Sequence, residues 1–121
     1  MIRVVFFLEE DGSAPLLDWL DELPRRAQDK CTERIERLRE LGHWLRRPEA
    51  DYLRDGIYEL RVKAGRVQYR LLYFFHRQEA IVLSHGIVKQ RADSPQREIE
   101  SALQRKRAFE RDPERHALEA P

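Results

Sequence analysis

The sequence holds a single cysteine, Cys31, in 121 residues, so no disulfide can form within the chain. That excludes a disulfide-stapled scaffold and fits a reducing compartment, so the expected location is cytoplasmic. No apolar run approaches the length of a membrane span. The apolar start, residues 1–8, is short and is followed at once by acids, so no secretory leader is expected. The four histidines, His43, His76, His85 and His116, are scattered, and Cys31 has no histidine or carboxylate cluster beside it. No metal site and no cofactor are therefore expected. Tyrosine is absent after residue 73; the only four are Tyr52, Tyr58, Tyr69 and Tyr73. There is no internal repeat and no low-complexity block.

Net charge is also scarce, at +1, and gives no global argument for a nucleic-acid partner. Its distribution says more. Residues 1–52 carry 9 Lys/Arg against 12 Asp/Glu, residues 53–111 carry 13 against 7, and residues 112–121 carry 1 against 3. The positive charge is gathered in the second half of the chain, as in an electrostatic footprint for an anion.

What is present is a sequence of well-marked elements. Residues 2–8 (IRVVFFL) read as a strand. Ser13 is a candidate N-cap for a short helix to about residue 22, with Pro15 tolerated in the first turn. Residues 25–41 are the clearest helix: Ala27, Cys31, Ile35 and Leu38 recur at helical spacing and Gly42 follows as a C-terminal cap. Residues 43–51 read as a loop from which Trp44 and Leu45 fold back onto the core. Asp55-Gly56 turns the chain into the densest run of strand formers, with strands at about 57–63, 67–75 and 80–88. Ser94 caps, and Pro95 begins, a last helix to about residue 111. Residues 112–121 should be a poorly ordered tail on a single domain spanning 1–111. This order predicts an α+β fold, β-α-α-β-β-β-α, with a mostly antiparallel sheet. The two early helices should cover the face carrying Tyr58, Leu60 and Val62. The last helix should cover Leu72, Phe74, Ile81 and Leu83.

Side-chain parity gives the first functional clue. Glu59, Arg61 and Lys63 alternate with Tyr58, Leu60 and Val62, so one face of the strand is charged. A two-residue turn at Ala64-Gly65 sets Glu59 opposite Arg70 and Arg61 opposite Gln68, and any even-length turn keeps Arg70 on the charged face. A two-residue turn at Arg77-Gln78 then sets His85 opposite Arg70, with Lys89 at the same parity. A cationic face with one histidine and one carboxylate suits a phosphodiester. Arg70 stands out because it interrupts an apolar strand, and a buried guanidinium requires an anionic partner, which Glu59 could equally supply.

These residues resemble a family. A strand reading YELR, a hairpin, QYRLLYFF, a strand ending HGIVK and a helix opening at SPQREIE are similar to the phage-derived, HigB-like branch of the RelE/ParE toxin superfamily, over about residues 2–111. The resemblance implies a RelE-like fold and the toxin of a type II toxin–antitoxin system. It implies an endoribonuclease acting on mRNA at the ribosome, held inactive by an antitoxin, typically a helix-turn-helix protein. RNA supplies its own nucleophile, the 2′-OH, so the protein must accept a proton, stabilise charge on the phosphate and protonate the leaving oxygen. The resemblance implies catalytic roles for Arg70 and Arg61. His85 could act as base or acid, and Glu59 as a base weakened by its arginine neighbour. Lys63, Lys89, Arg66 and Arg91 are candidate phosphate anchors. Some superfamily toxins use a tyrosine near the C-terminus, which this chain lacks. Two alternatives stay open: a ParE-like toxin that binds a DNA-modifying enzyme without cleaving, and a binding module with a basic face.

Overall fold

Strand-forming and helix-forming patterns sort this chain into a single sheet with helices on both faces. The computed structural model describes residues 2–89 and 95–121. The elements are β1 (Arg3–Phe7), α1 (Pro15–Asp21), α2 (Arg25–Leu41), a 3-10 turn (Gly42–Trp44), β2 (Ala50–Arg54), β3 (Ile57–Ala64), β4 (Val67–His76), β5 (Ala80–Val88), α3 (Gln96–Arg111) and β6 (Ala117–Glu119). The strands lie in the order β2-β3-β4-β5-β1-β6. β1 runs parallel to β5 and every other pair of neighbouring strands is antiparallel, which is the expected α+β architecture.

The expected apolar stripe of α2 is buried: Ala27, Cys31, Ile35 and Leu38 face the sheet, and Gly42 ends the helix at φ 54°. Ser13 does not cap α1. Ala14 holds the N-cap position, while the Ser13 N–H and hydroxyl both donate to Asp11 Oδ1, at 2.9 and 2.7 Å. Ser94 lies outside the described residues.

One face of the sheet buries Leu60, Val62, Leu71, Tyr73, Ile81 and Leu83 against α1 and α2. The other buries Ile57, Leu72, Phe74 and Val82 against Ile99, Ala102, Leu103 and Phe109 of α3. Ile81 and Leu83 therefore do not lie under α3 as expected. The β4–β5 turn holds three residues, Arg77 to Glu79, because His76 pairs with Ala80, and the added residue moves Val82 onto the α3 face. Trp19 of α1 packs directly against Gly86 of β5: a Cβ there would sit 2.3 Å from its ring. Trp44 departs from expectation, at 78% exposed, while Leu45 beside it is buried.

Two strands were not expected. β2 pairs with β3 through the Asp55-Gly56 turn, both residues having positive φ. The segment 112–121, expected to be poorly ordered, supplies β6, which pairs with β1 through Phe6 and Leu118. His116 is buried, stacked on Phe7 with ring centroids 5.0 Å apart, and its Nδ1 donates to the Leu8 carbonyl at 2.8 Å. The physical reason is the edge of β1, whose backbone donors and acceptors need a partner that the tail provides.

Candidate functional site

The tip of the β3–β4 hairpin decides the site. The turn residues are Gly65-Arg66, since Ala64 pairs with Val67. Register is two residues away from that expected: Arg61 lies opposite Arg70, and Glu59 lies opposite Leu72. Parity survives, so Glu59, Arg61, Lys63, Gln68 and Arg70 share one face. His85 also keeps its parity but not its partner. The three-residue turn and a bulge at Ser84 place it opposite Leu72, while Arg70 faces Ile87.

Arg61, Lys63, Gln68, Arg70 and Lys89 line a cleft of about 440 Å³ together with Arg34 of α2, Pro48 and Glu49. Among the described lining residues, five cations accompany one carboxylate, and that carboxylate is engaged: Glu49 Oε2 accepts from Arg37 and lies 3.5 Å from Arg34 Nε. Glu59 is buried beneath the arginines. Its Oε2 accepts from Arg61 Nε at 2.9 Å and lies 3.4 Å from Arg70 Nε. Arg61 also donates to Asp51 Oδ2 at 3.2 Å. Arg70 is 5% exposed, and burial lowers its pKa, against which the Glu59 charge holds it protonated. Gln68 Oε1 accepts from Arg70 at 3.3 Å and from Lys89 at 3.4 Å, which fixes both side chains at the cleft wall. An anion entering here meets preplaced cations in a partly desolvated setting, where charge attraction is stronger than in water.

Arg66 is exposed in the hairpin turn and does not line the cleft. Arg91 lies outside the described residues. His85 is not in the cleft either; it is buried under α3. Arg105 donates to its Nδ1 at 3.0 Å, and a guanidinium cannot accept, so Nδ1 is the acceptor and Nε2 carries the proton toward Glu98 Oε1 at 3.1 Å. Ser84 Oγ is 2.8 Å from the same Nδ1. Burial first, and Arg105 second, push the imidazole pKa below its ordinary value; Glu98 opposes them. A larger depression of about 530 Å³ opens beside Arg105, but Glu9, Glu10 and Asp11 line it and repel an anion. Among the described residues, no group of three or more His, Cys, Asp or Glu side chains is placed to hold a metal ion.

Arg34, Gln68 and Asp51 are the site residues that sequence reasoning missed. Gln68 shares the parity of Arg70, so the same alternation that picked the arginine reaches it. Arg34 borders the α2 stripe, one helical turn from Cys31 and Leu38, which aims it at the sheet. Asp51 carried no such signal, because its segment read as a loop.

No curated protein sequence matches the chain. The sequence model of a family described as phage-derived protein Gp49-like (DUF891) matches residues 18–107, a span that contains every residue lining the cleft. The chain therefore belongs to the Gp49-like family of phage-derived proteins, a toxin-like family related to the RelE and HigB toxins.

Proposed function

We propose that the protein is the toxin of a type II toxin–antitoxin system, of the HigB-like branch, and that its cleft binds and cuts mRNA on the ribosome. The observation that carries this reading is the convergence of Arg61, Lys63, Arg70 and Lys89 on one cleft, with Glu59 beneath. Arg70 and Arg61 would hold the scissile phosphate and the charge that develops on it as the ribose 2′-OH attacks. Lys63 and Lys89 would anchor the strand. A phosphate that draws the two arginines toward itself loosens their hold on Glu59, whose carboxylate would take the 2′-OH proton as the 2′-oxygen bonds to phosphorus. The bond to the 5′-oxygen breaks, and that oxygen leaves with a proton from water, giving a 2′,3′-cyclic phosphate and a 5′-hydroxyl. The reaction needs no metal, because the nucleophile is part of the substrate.

One observation favours a second reading. His85 is engaged by Arg105 and Glu98 outside the cleft, and Glu59 already serves two arginines. A cleft so equipped can bind without cutting, as a ParE-like toxin acting on a DNA-modifying enzyme or a basic-faced binding module would. The family supports an antitoxin partner. We take it to be a helix-turn-helix protein encoded next to the toxin, whose co-expression restores growth and which co-purifies.

Induction of the protein should arrest growth and cut translated messages. Arg70→Ala should abolish both, with circular dichroism showing a folded chain. Intact mRNA during arrest would reject the nuclease and leave the second reading.

A further inference from the structure

A depression of about 400 Å³ shares the 45–51 segment with the cation cleft. His43, Tyr52 and Tyr58 give it aromatic walls, and Arg46 and Arg47 give it positive charge. Its one carboxylate, Asp51, is occupied: Oδ2 accepts from Arg47 at 2.9 Å and from Arg61 at 3.2 Å. Arg61 belongs to the cleft, so a single carboxylate ties the two depressions together.

The aromatic surface is exposed yet held in place. Tyr52 is 53% exposed, but its hydroxyl accepts from the Gly56 N–H at 3.0 Å and its ring meets Tyr58 edge-on, with centroids 5.0 Å apart. Tyr58 in turn stacks on the buried Tyr73. His43 stacks on Phe75 at 3.6 Å, and Trp44, between the lining residues His43 and Leu45, is 78% exposed. Rings fixed in this way have lost their rotamer freedom before a ligand arrives, so stacking on them costs little further ordering. The volume falls in the range of small-ligand pockets, ~300–1,000 Å³. Flat rings flanked by guanidinium groups match a planar, phosphate-bearing ligand better than an aliphatic helix face.

We propose that this depression stacks an unpaired base of the RNA strand whose phosphate occupies the cation cleft. The proposal rests on the reading of the cleft as an RNA site. It makes the 45–51 segment a divider, with backbone held on one side and base on the other. Nothing here selects a particular base, because every base offers a π-face.

The test uses the whole chain and two labelled oligonucleotides of equal length with 2′-O-methyl riboses throughout, which cannot be cut. One carries bases and the other is abasic. The base-bearing strand should bind about five- to a hundredfold tighter. Tyr52→Leu should remove most of that advantage and leave abasic binding unchanged, while Tyr52→Phe should retain it. Equal affinity for the two strands overturns the proposal, as does a Tyr52→Leu effect of equal size on both. Tyr52→Leu releasing a protein partner with RNA binding intact would overturn it in favour of that partner. Arg70→Gln separates the two levels of the argument. If it abolishes salt-sensitive binding of the abasic strand, the cleft reading stands whatever the base result. If neither strand binds the unaltered protein, both readings fall.

Discussion

The cation cleft and the His85 cluster lie on the same face of the same sheet, and they handle charge in opposite ways. Under α3, the charges are matched within the fold: His85 sits between Arg105 and Glu98, and Arg105 donates to Glu9 at 2.8 Å. Beyond the reach of α3, cations outnumber acids among the described residues that line the cleft. A buried polar group must find its partner inside the protein, whereas a half-buried cation can wait for one from outside. One face thus divides into a structural half and a receptive half, and the boundary is where helix cover stops.

The largest effect should come from removing the carboxylate that both arginines share. Glu59→Gln leaves two guanidinium groups facing each other over a neutral amide. It should cost about 3 kcal/mol in urea unfolding, at the low end for a broken buried pair because Arg61 keeps Asp51 and is partly solvated. Added phosphate should raise the melting temperature of this variant more than that of the unaltered protein, since the anion takes the missing place. An equal response would break the view of the cleft as receptive.

The structural half should respond to acid instead. The pKa of His85 is lowered in the folded state, so the unfolded chain binds its proton first as pH falls. Stability contributed by the neutral ring is complete above about pH 6.5 and is lost as pH drops from there through the folded pKa. The charged neighbours act in both directions, with Arg105 against protonation and Glu98 for it. His85→Gln should therefore flatten the loss of stability between pH 7 and pH 5, seen in paired urea titrations. A variant as acid-sensitive as the unaltered protein would contradict the arrangement.

The smallest effects sharpen the boundary of the cleft. Lys89→Ala should lower the salt slope of oligonucleotide binding by about one. Arg66→Ala, at the exposed hairpin tip, should change affinity by about twofold or less, because its charge is screened by solvent. Equal losses from the two variants would extend the binding surface out to the tip.

Much of this division was legible in the sequence, and the failures have identifiable causes. Parity held for Glu59, Arg61 and Arg70 because the β3–β4 turn keeps two residues. His85 regained its face only because the bulge at Ser84 offsets the added residue of the β4–β5 turn, while Ile81 and Leu83 changed face. Register was not secure, because it depends on which residues turn. Gly65 takes φ 61°, and Arg77 and Gln78 take φ 51° and 59° without being glycine, a conformation that composition alone does not announce. The bulge at Ser84 compounds the shift. The surroundings of His85 were not legible for another reason: its partners Arg105 and Glu98 come from a helix later in the chain, and nothing local reveals them. β2 could have been found. Asp55-Gly56 is a strong hairpin signal, and a hairpin needs a strand on each side of the turn. β6, three residues long and flanked by charge, carries no pattern of its own; it exists because β1 offers an edge.

That last pairing has a consequence for which backbone the sheet leaves open to other molecules. β1 reads RVVFF, a short run of high β-propensity with a single charge. Such a run with an open edge is a template for strands from other molecules. The ten C-terminal residues occupy it with Ala117, Leu118 and Glu119, and Arg39 of α2 donates to the Pro121 carbonyl at 3.0 Å, holding the chain end in place. The acidic tail therefore works as a gatekeeper: it covers the edge of β1 from within, and a chain shortened at residue 111 would carry that edge open.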